Sequence, residues 1–116
     1  MTVSTISPVR AISGQAIQQI VGQIAQGFRP LRVILFGSQA SGEDDVTSDV
    51  DLLVVMDTDL RETEQAVQIC QAIDYGIDLD LIVRKPSTIE RRFALGDPFI
   101  AEILRSGRVL YESADT

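Results

Sequence analysis

Asp49 and Asp51 stand at the start of an apolar run and are separated by Val50. Alternate side chains of a β-strand share one face, so both carboxylates point the same way, roughly 7 Å apart along the backbone. Such a pair repels itself unless a cation neutralises it, and carboxylate oxygens suit a hard divalent ion such as Mg2+. The spacing therefore predicts a metal site. The alternative is that both side chains face water at the end of a strand.

A second acidic pair, Asp78 and Asp80, precedes another apolar run further along the chain. Charges on two central strands are costly without a purpose. If the two strands are adjacent, Asp80 or Asp78 completes a three-carboxylate site for two ions, one on the phosphates and one on the attacking oxygen. Hydrophobic periodicity does not decide between Asp78 and Asp80. We favour Asp80, because residues 81–83 follow it much as residues 52–54 follow Asp51.

Gly37 and Ser38 come directly after a short run that is rich in valine and isoleucine. Glycine permits a sharp turn and lets the backbone approach a ligand closely. Serine adds a hydroxyl, and the amides at a helix start favour anions. The pair therefore suits phosphate oxygens, with an ordinary turn as the alternative.

The chain has 116 residues, of which 45% are hydrophobic, and this is enough for one core but not for two. We expect a single domain over residues 1–116, with residues 1–9 loosely ordered. A formal net charge of -7 opposes the approach of a phosphate backbone, so stable nucleic-acid binding is not expected. No apolar run is long enough for a spanning helix and no signal-peptide pattern is present, so the expected location is cytoplasmic, away from the membrane.

Histidine is absent, and Cys70 is the only cysteine. An intramolecular disulfide, a Cys/His zinc site and histidine-based catalysis are therefore excluded. Cys70 falls on the apolar stripe of a predicted helix and is expected in the core rather than as a nucleophile. Chemistry must rest on carboxylates, hydroxyls or cations.

Two charged clusters lie outside the aspartate pairs. The basic cluster follows the third predicted strand and consists of Arg84, Lys85, Arg91 and Arg92. It either meets phosphate or an acidic partner, or forms a solvated helix face. The acidic cluster, residues 43–45, is expected to be a solvated loop rather than a set of further metal ligands.

Hydrophobic periodicity predicts helices and strands in the order helix, strand, strand, helix, strand, helix, helix, strand. This order is typical of an α/β (α+β) domain with a mixed central sheet of about four strands and flanking helices. Strands are predicted over residues 31–36, 50–55, 77–83 and 109–111. Helices are predicted over residues 17–28 and after the capping residues Asp59, Ser87 and Asp97, the first two forming capping boxes with Glu62 and Glu90. Gly107 is expected to end the last helix.

The Gly-Ser pair and the Asp-x-Asp pair are more specific together, at their observed spacing, than either is alone. Gly37-Ser38, then ten residues, then Asp49-Val50-Asp51 resembles the signature of the DNA polymerase beta-like nucleotidyltransferase superfamily. Residues 35–42 (LFGSQASG) and 48–52 (SDVDL) are similar to its small prokaryotic branch, the minimal nucleotidyltransferases (MNT), and the resemblance extends from about residue 24 to residue 111. Many relatives have arginine where this chain has Ser41, and often a basic or aromatic residue at Gln39.

The resemblance implies roles for individual residues. Gly37, Ser38 and Ser48 would contact the nucleotide, Asp49 and Asp51 would bind Mg2+, and Asp80 would be the third carboxylate. The implied reaction moves a nucleoside monophosphate, most simply AMP from ATP, onto a hydroxyl acceptor with the help of two Mg2+ ions.

The resemblance also implies a partner. Minimal family members often occur beside a small helical HEPN protein as its antitoxin, and some modify a tyrosine of the HEPN ribonuclease toxin with AMP. We therefore expect an enzyme that acts on a protein partner, in a chain that could also form homo-oligomers. One alternative, motivated by Ser41, is a non-catalytic antitoxin that masks a HEPN toxin. Another is an adenylyltransferase subunit for a small molecule of the aminoglycoside type.

Overall fold

A computed structural model of the protein describes residues 8–37 and 50–114. Within these ranges the chain forms four helices and four strands, in the order that the hydrophobic periodicity predicts. The elements are α1 (Pro8–Phe28), β1 (Arg32–Phe36), β2 (Val50–Val55), α2 (Glu62–Ala72), β3 (Leu79–Arg84), α3 (Pro86–Ala94), α4 (Pro98–Ser106) and β4 (Arg108–Glu112). None of these helices is long and apolar enough to cross a membrane.

The four strands form one sheet in the order β3-β2-β1-β4. β2 and β3 are parallel, whereas β1 is antiparallel to both β2 and β4, so the sheet is mixed as predicted. The link from β2 to β3 runs through α2, which is the long crossover that a parallel pair requires. Because of these directions, the last residues of β1 lie at the same end of the sheet as the first residues of β2 and β3.

Helices cover both faces of the sheet. The face under α1 and α2 buries Ile20, Ile24, Ile69, Leu52 and Val54. The opposite face, under α3 and α4, buries Ile34, Leu53, Val55 and Ile103, and Ile89 packs against them. Side chains alternate along a strand, so Asp51 shares the second face with Leu53 and Val55.

The start of α2 differs from the predicted capping box of Asp59 and Glu62. The hydroxyl of Thr58 accepts a hydrogen bond from the Leu60 amide at 3.1 Å, and this local turn delays the helix to Glu62. The N-cap is therefore Arg61, whose amide donates to the Glu64 carboxylate at 3.2 Å. The Glu62 carboxylate instead accepts from the amide of Lys85, at 2.8 Å, and ties α2 to the start of α3.

The capping box predicted at Ser87 and Glu90 is also wrong. The N-cap of α3 is Lys85, and Pro86 occupies the first helical turn. Proline has no amide to satisfy there and its fixed φ suits the first turn, so the helix begins before Ser87 can cap it.

Both ends of α4 follow the sequence prediction. The Asp97 carboxylate accepts hydrogen bonds from the amides of Phe99, at 2.9 Å, and Ile100, at 3.4 Å. Gly107 ends the helix, and a Cβ at this position would lie 2.5 Å from the carbonyl oxygen of Ile103 and 2.7 Å from the side chain of Ile34. Only glycine therefore fits between the end of α4 and β1.

The loosely ordered start predicted for residues 1–9 overlaps α1, because the helix begins at Pro8. Proline is favoured in the first turn of a helix, where its missing amide has no partner to lose. Residues 1–7 lie outside the described residues.

Candidate active site

Two of the predicted carboxylates lie at the end of the sheet where β1 stops and where β2 and β3 begin. Asp51 and Asp80 are each the second residue of their strand, and they are direct partners in the parallel register. Neighbouring strands lie about 4.8 Å apart, so the two side chains stand side by side on the face under α3 and α4. Like charges at this spacing repel each other, and a bound cation relieves the repulsion.

Gly37 brings the end of β1 against this pair. Its φ is +79°, in the left-handed region that favours glycine. A Cβ at this position would overlap Oδ2 of Asp51 and would lie 3.3 Å from its Cγ. The predicted turn is therefore present, and it needs glycine for two reasons: the backbone conformation and the room for the Asp51 carboxylate.

The register also distinguishes Asp80 from Asp78. Asp78 precedes β3, its side chain is exposed, and its carbonyl oxygen accepts a hydrogen bond from the Val50 amide at 2.9 Å. The two aspartates are two residues apart, so Asp78 lies about 7 Å along the strand from the position beside Asp51. Asp80 is therefore the carboxylate that stands next to Asp51, a placement that periodicity alone left open.

Three predicted site residues, Ser38, Ser48 and Asp49, lie outside the described residues, as do Gln39, Ser41 and the acidic cluster at 43–45. Within residues 8–37 and 50–114, no group of three His, Cys, Asp or Glu side chains is placed to hold a metal ion. The described part of the site thus supplies two carboxylates and the Gly37 turn. The metal-binding and nucleotide-binding roles stay predictions.

An aromatic pair beside the carboxylates was not anticipated. Phe36 is the cross-strand partner of Asp51, and its ring contacts the ring of Phe99 edge to face, with centroids 5.7 Å apart and planes at 86°. Phe99 lies in the first turn of α4 and is 48% exposed. The sequence analysis predicted that Phe99 and Ile100 share the apolar face of the last helix. In the structure Ile100 is buried and Phe99 is not, a difference that hydrophobic periodicity does not predict.

A cleft of about 450 Å³ opens between α2 and the edge strand β3. Its lining includes Cys70, Tyr75 and Asp80. Burial raises the pKa of the Cys70 thiol, and the negative charge of Asp80 raises it further. Cys70 also packs against the core, so both observations agree with a structural cysteine rather than a nucleophile.

Two members of the basic cluster, Arg84 and Arg92, have partners other than the candidate carboxylates. Arg84 follows Asp80 by four residues on β3, which places it about 13 Å away along the strand, and its guanidinium donates to the Val83 carbonyl. Arg92 forms an exposed ion pair with Asp97, at 3.4 Å. The ion pair of Arg92 agrees with the solvated-face interpretation, whereas Arg84 is half-buried at the end of β3.

Comparison with known protein families gives one clear match. A family model described as "Polymerase beta, Nucleotidyltransferase" matches residues 18–116. The matched range includes both halves of the Gly-Ser and Asp-x-Asp pattern and all of β3.

Similar proteins include one curated protein and one solved structure. A protein of Methanocaldococcus jannaschii named "putative protein adenylyltransferase" is 30% identical over 101 residues, which cover 84% of this chain and 96% of that protein. The crystal structure of a "putative nucleotidyltransferase" from Sulfolobus solfataricus superposes with a TM-score of 0.66 at 20% identity, covering 92% of this chain and 86% of that one. The second likeness concerns the fold, and it confirms the predicted α/β architecture with a four-stranded mixed sheet.

Proposed function

The chain belongs to the polymerase beta nucleotidyltransferase family, and we propose that it moves AMP from ATP onto a hydroxyl of a partner protein in a Mg2+-dependent reaction. One observation carries the proposal: Asp51 and Asp80 stand in register on adjacent strands, directly beside the turn at Gly37. Two neighbouring carboxylates offer the oxygen ligands that divalent cations prefer, and a bound cation would neutralise their mutual repulsion.

The donor set fits Mg2+, which prefers carboxylate oxygens and open positions for phosphate oxygens. In the proposal Asp49, Asp51 and Asp80 hold two ions, while Gly37, Ser38 and Ser48 contact the nucleotide. When bound, the ions neutralise the triphosphate and the charge on the entering and leaving oxygens. The protein's part is then to position the reactants and to exclude wrong geometries.

In the proposed reaction the acceptor's hydroxyl oxygen attacks the α-phosphorus of ATP and forms a new P–O bond. The bond between the α-phosphorus and the oxygen that bridges to the β-phosphate breaks, and pyrophosphate leaves with the electron pair. The hydroxyl proton passes to the Asp80 carboxylate and from there to water. Asp80 suits this role because it lies on the edge strand β3 and is exposed, so an acceptor can reach it.

Two arguments support a protein as the acceptor. The similar protein from M. jannaschii is named as a protein adenylyltransferase. In addition, the resemblance of residues 35–42 and 48–52 to minimal nucleotidyltransferases points to a HEPN-type ribonuclease, which AMP on a tyrosine would switch off. The chain would then act as an antitoxin in the cytoplasm.

The test is to incubate the purified chain with Mg2+ and ATP labelled at the α-phosphate, with and without the co-expressed product of the neighbouring gene. Mass spectrometry locates the label. We expect label on the partner, its loss in Asp49→Asn, and its retention in Asp59→Asn, which makes the same chemical change at an exposed position outside the site.

Each other outcome has a defined meaning. Full turnover by Asp49→Asn at saturating Mg2+ contradicts the site assignment. Absence of label with every nucleotide, despite a stable complex, favours the non-catalytic antitoxin. Label on added aminoglycosides but not on protein favours the small-molecule enzyme.

A further inference from the structure

The aromatic pair beside the carboxylates is the feature that the proposed chemistry leaves unused. Phe36 is half-buried and packs against the core under α3 and α4. The rings of Phe36 and Phe99 meet edge to face, and Phe99 remains 48% exposed to solvent. Phe36 is the cross-strand partner of Asp51, so one side chain, that of Phe36, links the exposed ring of Phe99 to the candidate metal site.

The position of Phe99 is held by its surroundings. The Asp97 carboxylate accepts a hydrogen bond from the Phe99 amide at 2.9 Å and fixes the first turn of α4. The next residue, Ile100, is 2% exposed and anchors the helix in the core. A ring that is fixed on one side and exposed on the other offers a preorganised apolar surface beside a polar site, as small-molecule sites commonly do.

We propose that the exposed ring of Phe99 stacks on the base of the nucleoside triphosphate and so positions the α-phosphate at Asp51. This inference rests on the proposed function. The triphosphate is polar and suits the carboxylate-bound ions and the Gly37 turn, whereas the base is the part of the nucleotide with an apolar π-face. Stacking of a base on an aromatic side chain contributes to binding for any base, because every base has such a face.

Phe93 provides a control for the role of Phe99, because it is a second exposed phenylalanine nearby in the chain. Phe93, at the end of α3, is 55% exposed, but its ring does not pair with Phe36 among the described residues. An aromatic side chain of an acceptor protein is the competing occupant of the Phe99 ring. The experiment distinguishes the nucleotide base from an acceptor side chain, because nucleotide binding is measured without any acceptor.

The chain contains no tryptophan, so Phe99→Trp introduces a single tryptophan as a fluorescent reporter at this position. The variant is titrated with Mg2+ and α,β-methylene-ATP, whose bridging carbon prevents transfer. We expect saturable quenching of the tryptophan by the stacked base, no quenching by inorganic triphosphate, and no quenching in Phe93→Trp.

A second variant measures the contribution to affinity. Phe99→Leu keeps apolar contact with Phe36 but has no π-face, and calorimetry should show a Kd for α,β-methylene-ATP that is raised about tenfold. Phe93→Leu should leave the Kd unchanged.

The outcomes separate this inference from the proposed function. If Phe99→Leu binds as tightly as the original chain, or if quenching requires the acceptor, the stacking role is overturned while transfer of the label still stands. If the unsubstituted chain neither binds nor transfers any nucleotide, the proposed function fails and the stacking role fails with it.

Discussion

Gly37→Ala perturbs the contact between the turn after β1 and the Asp51 carboxylate without altering any charge. The added Cβ overlaps Oδ2 of Asp51, and an ordinary van der Waals contact returns only if that oxygen moves by about 1 Å. The moving group is the far end of a side chain rather than backbone. Its shift displaces a predicted metal ligand.

Two magnitudes follow for Gly37→Ala. Alanine at a φ of +79° costs about 1 to 2 kcal/mol, which lowers Tm by about 4 to 8 °C in a chain of this length. A displacement of about 1 Å in a catalytic site costs about a hundredfold in rate. The variant should therefore remain folded at room temperature and lose most of its activity.

Gly96→Ala is the matched control. Gly96 has a φ of +82°, and a Cβ at this position would meet nothing within 4 Å. Both variants should show a similar fall in Tm by circular dichroism. Only Gly37→Ala should show the fall in kcat/KM, measured by transfer of α-labelled AMP.

Unchanged kcat/KM in Gly37→Ala, despite the expected loss of Tm, would refute the reasoning. It would mean that the position of the Asp51 carboxylate does not limit the reaction. A loss of activity in Gly96→Ala as large as in Gly37→Ala would also contradict it, since backbone strain alone would then explain both results.

Two further predictions concern the helix that carries Phe99 and the cleft beside Asp80. Asp97→Ala removes the acceptor for the Phe99 amide and should lower stability by about 1 kcal/mol, whereas Asp97→Asn should retain most of it; equal Tm values in thermal melts would exclude a capping role. The thiolate is the form of Cys70 that reacts, so its raised pKa should make alkylation slower than that of a free cysteine at the same pH. Asp80→Asn removes a charge that raises this pKa and should speed alkylation, measured by mass spectrometry, while Asp78→Asn should not.

The sequence predicted the fold well because its elements carry strong periodic signals. Residues 52–55 form an uninterrupted apolar run after Asp51, and α1 has apolar residues at three-to-four spacing; both signals are local. The Asp97-Pro98 start and the Gly107 end of α4 were also predictable, because each has a direct steric or hydrogen-bonding cause.

Two helix starts were mispredicted because competing local interactions decide them. At α2, the Thr58 hydroxyl stabilises a turn that a capping-box pattern ignores. At α3, Pro86 begins the helix one residue before the serine that fits the pattern.

The arrangement of the candidate site depends on contacts that no local pattern encodes. The choice between Asp78 and Asp80 is made by the register of β3 against β2, which is a long-range pairing. The position of Phe99 beside Phe36 depends on how α4 packs on the sheet. Residue types and spacing therefore predicted the candidate side chains, and the tertiary structure determines which of the described ones stand together.

In the proposed function, Asp51 and Asp80, in register on adjacent strands, belong to the metal site. The most direct measurement compares Asp80→Asn with Asp78→Asn in the transfer of label from α-labelled ATP. Loss of an ion ligand removes several kcal/mol of transition-state stabilisation, so Asp80→Asn should reduce kcat/KM by about a thousandfold, while Asp78→Asn should stay within about threefold. Full activity in Asp80→Asn, or equal losses in both variants, would contradict the claim.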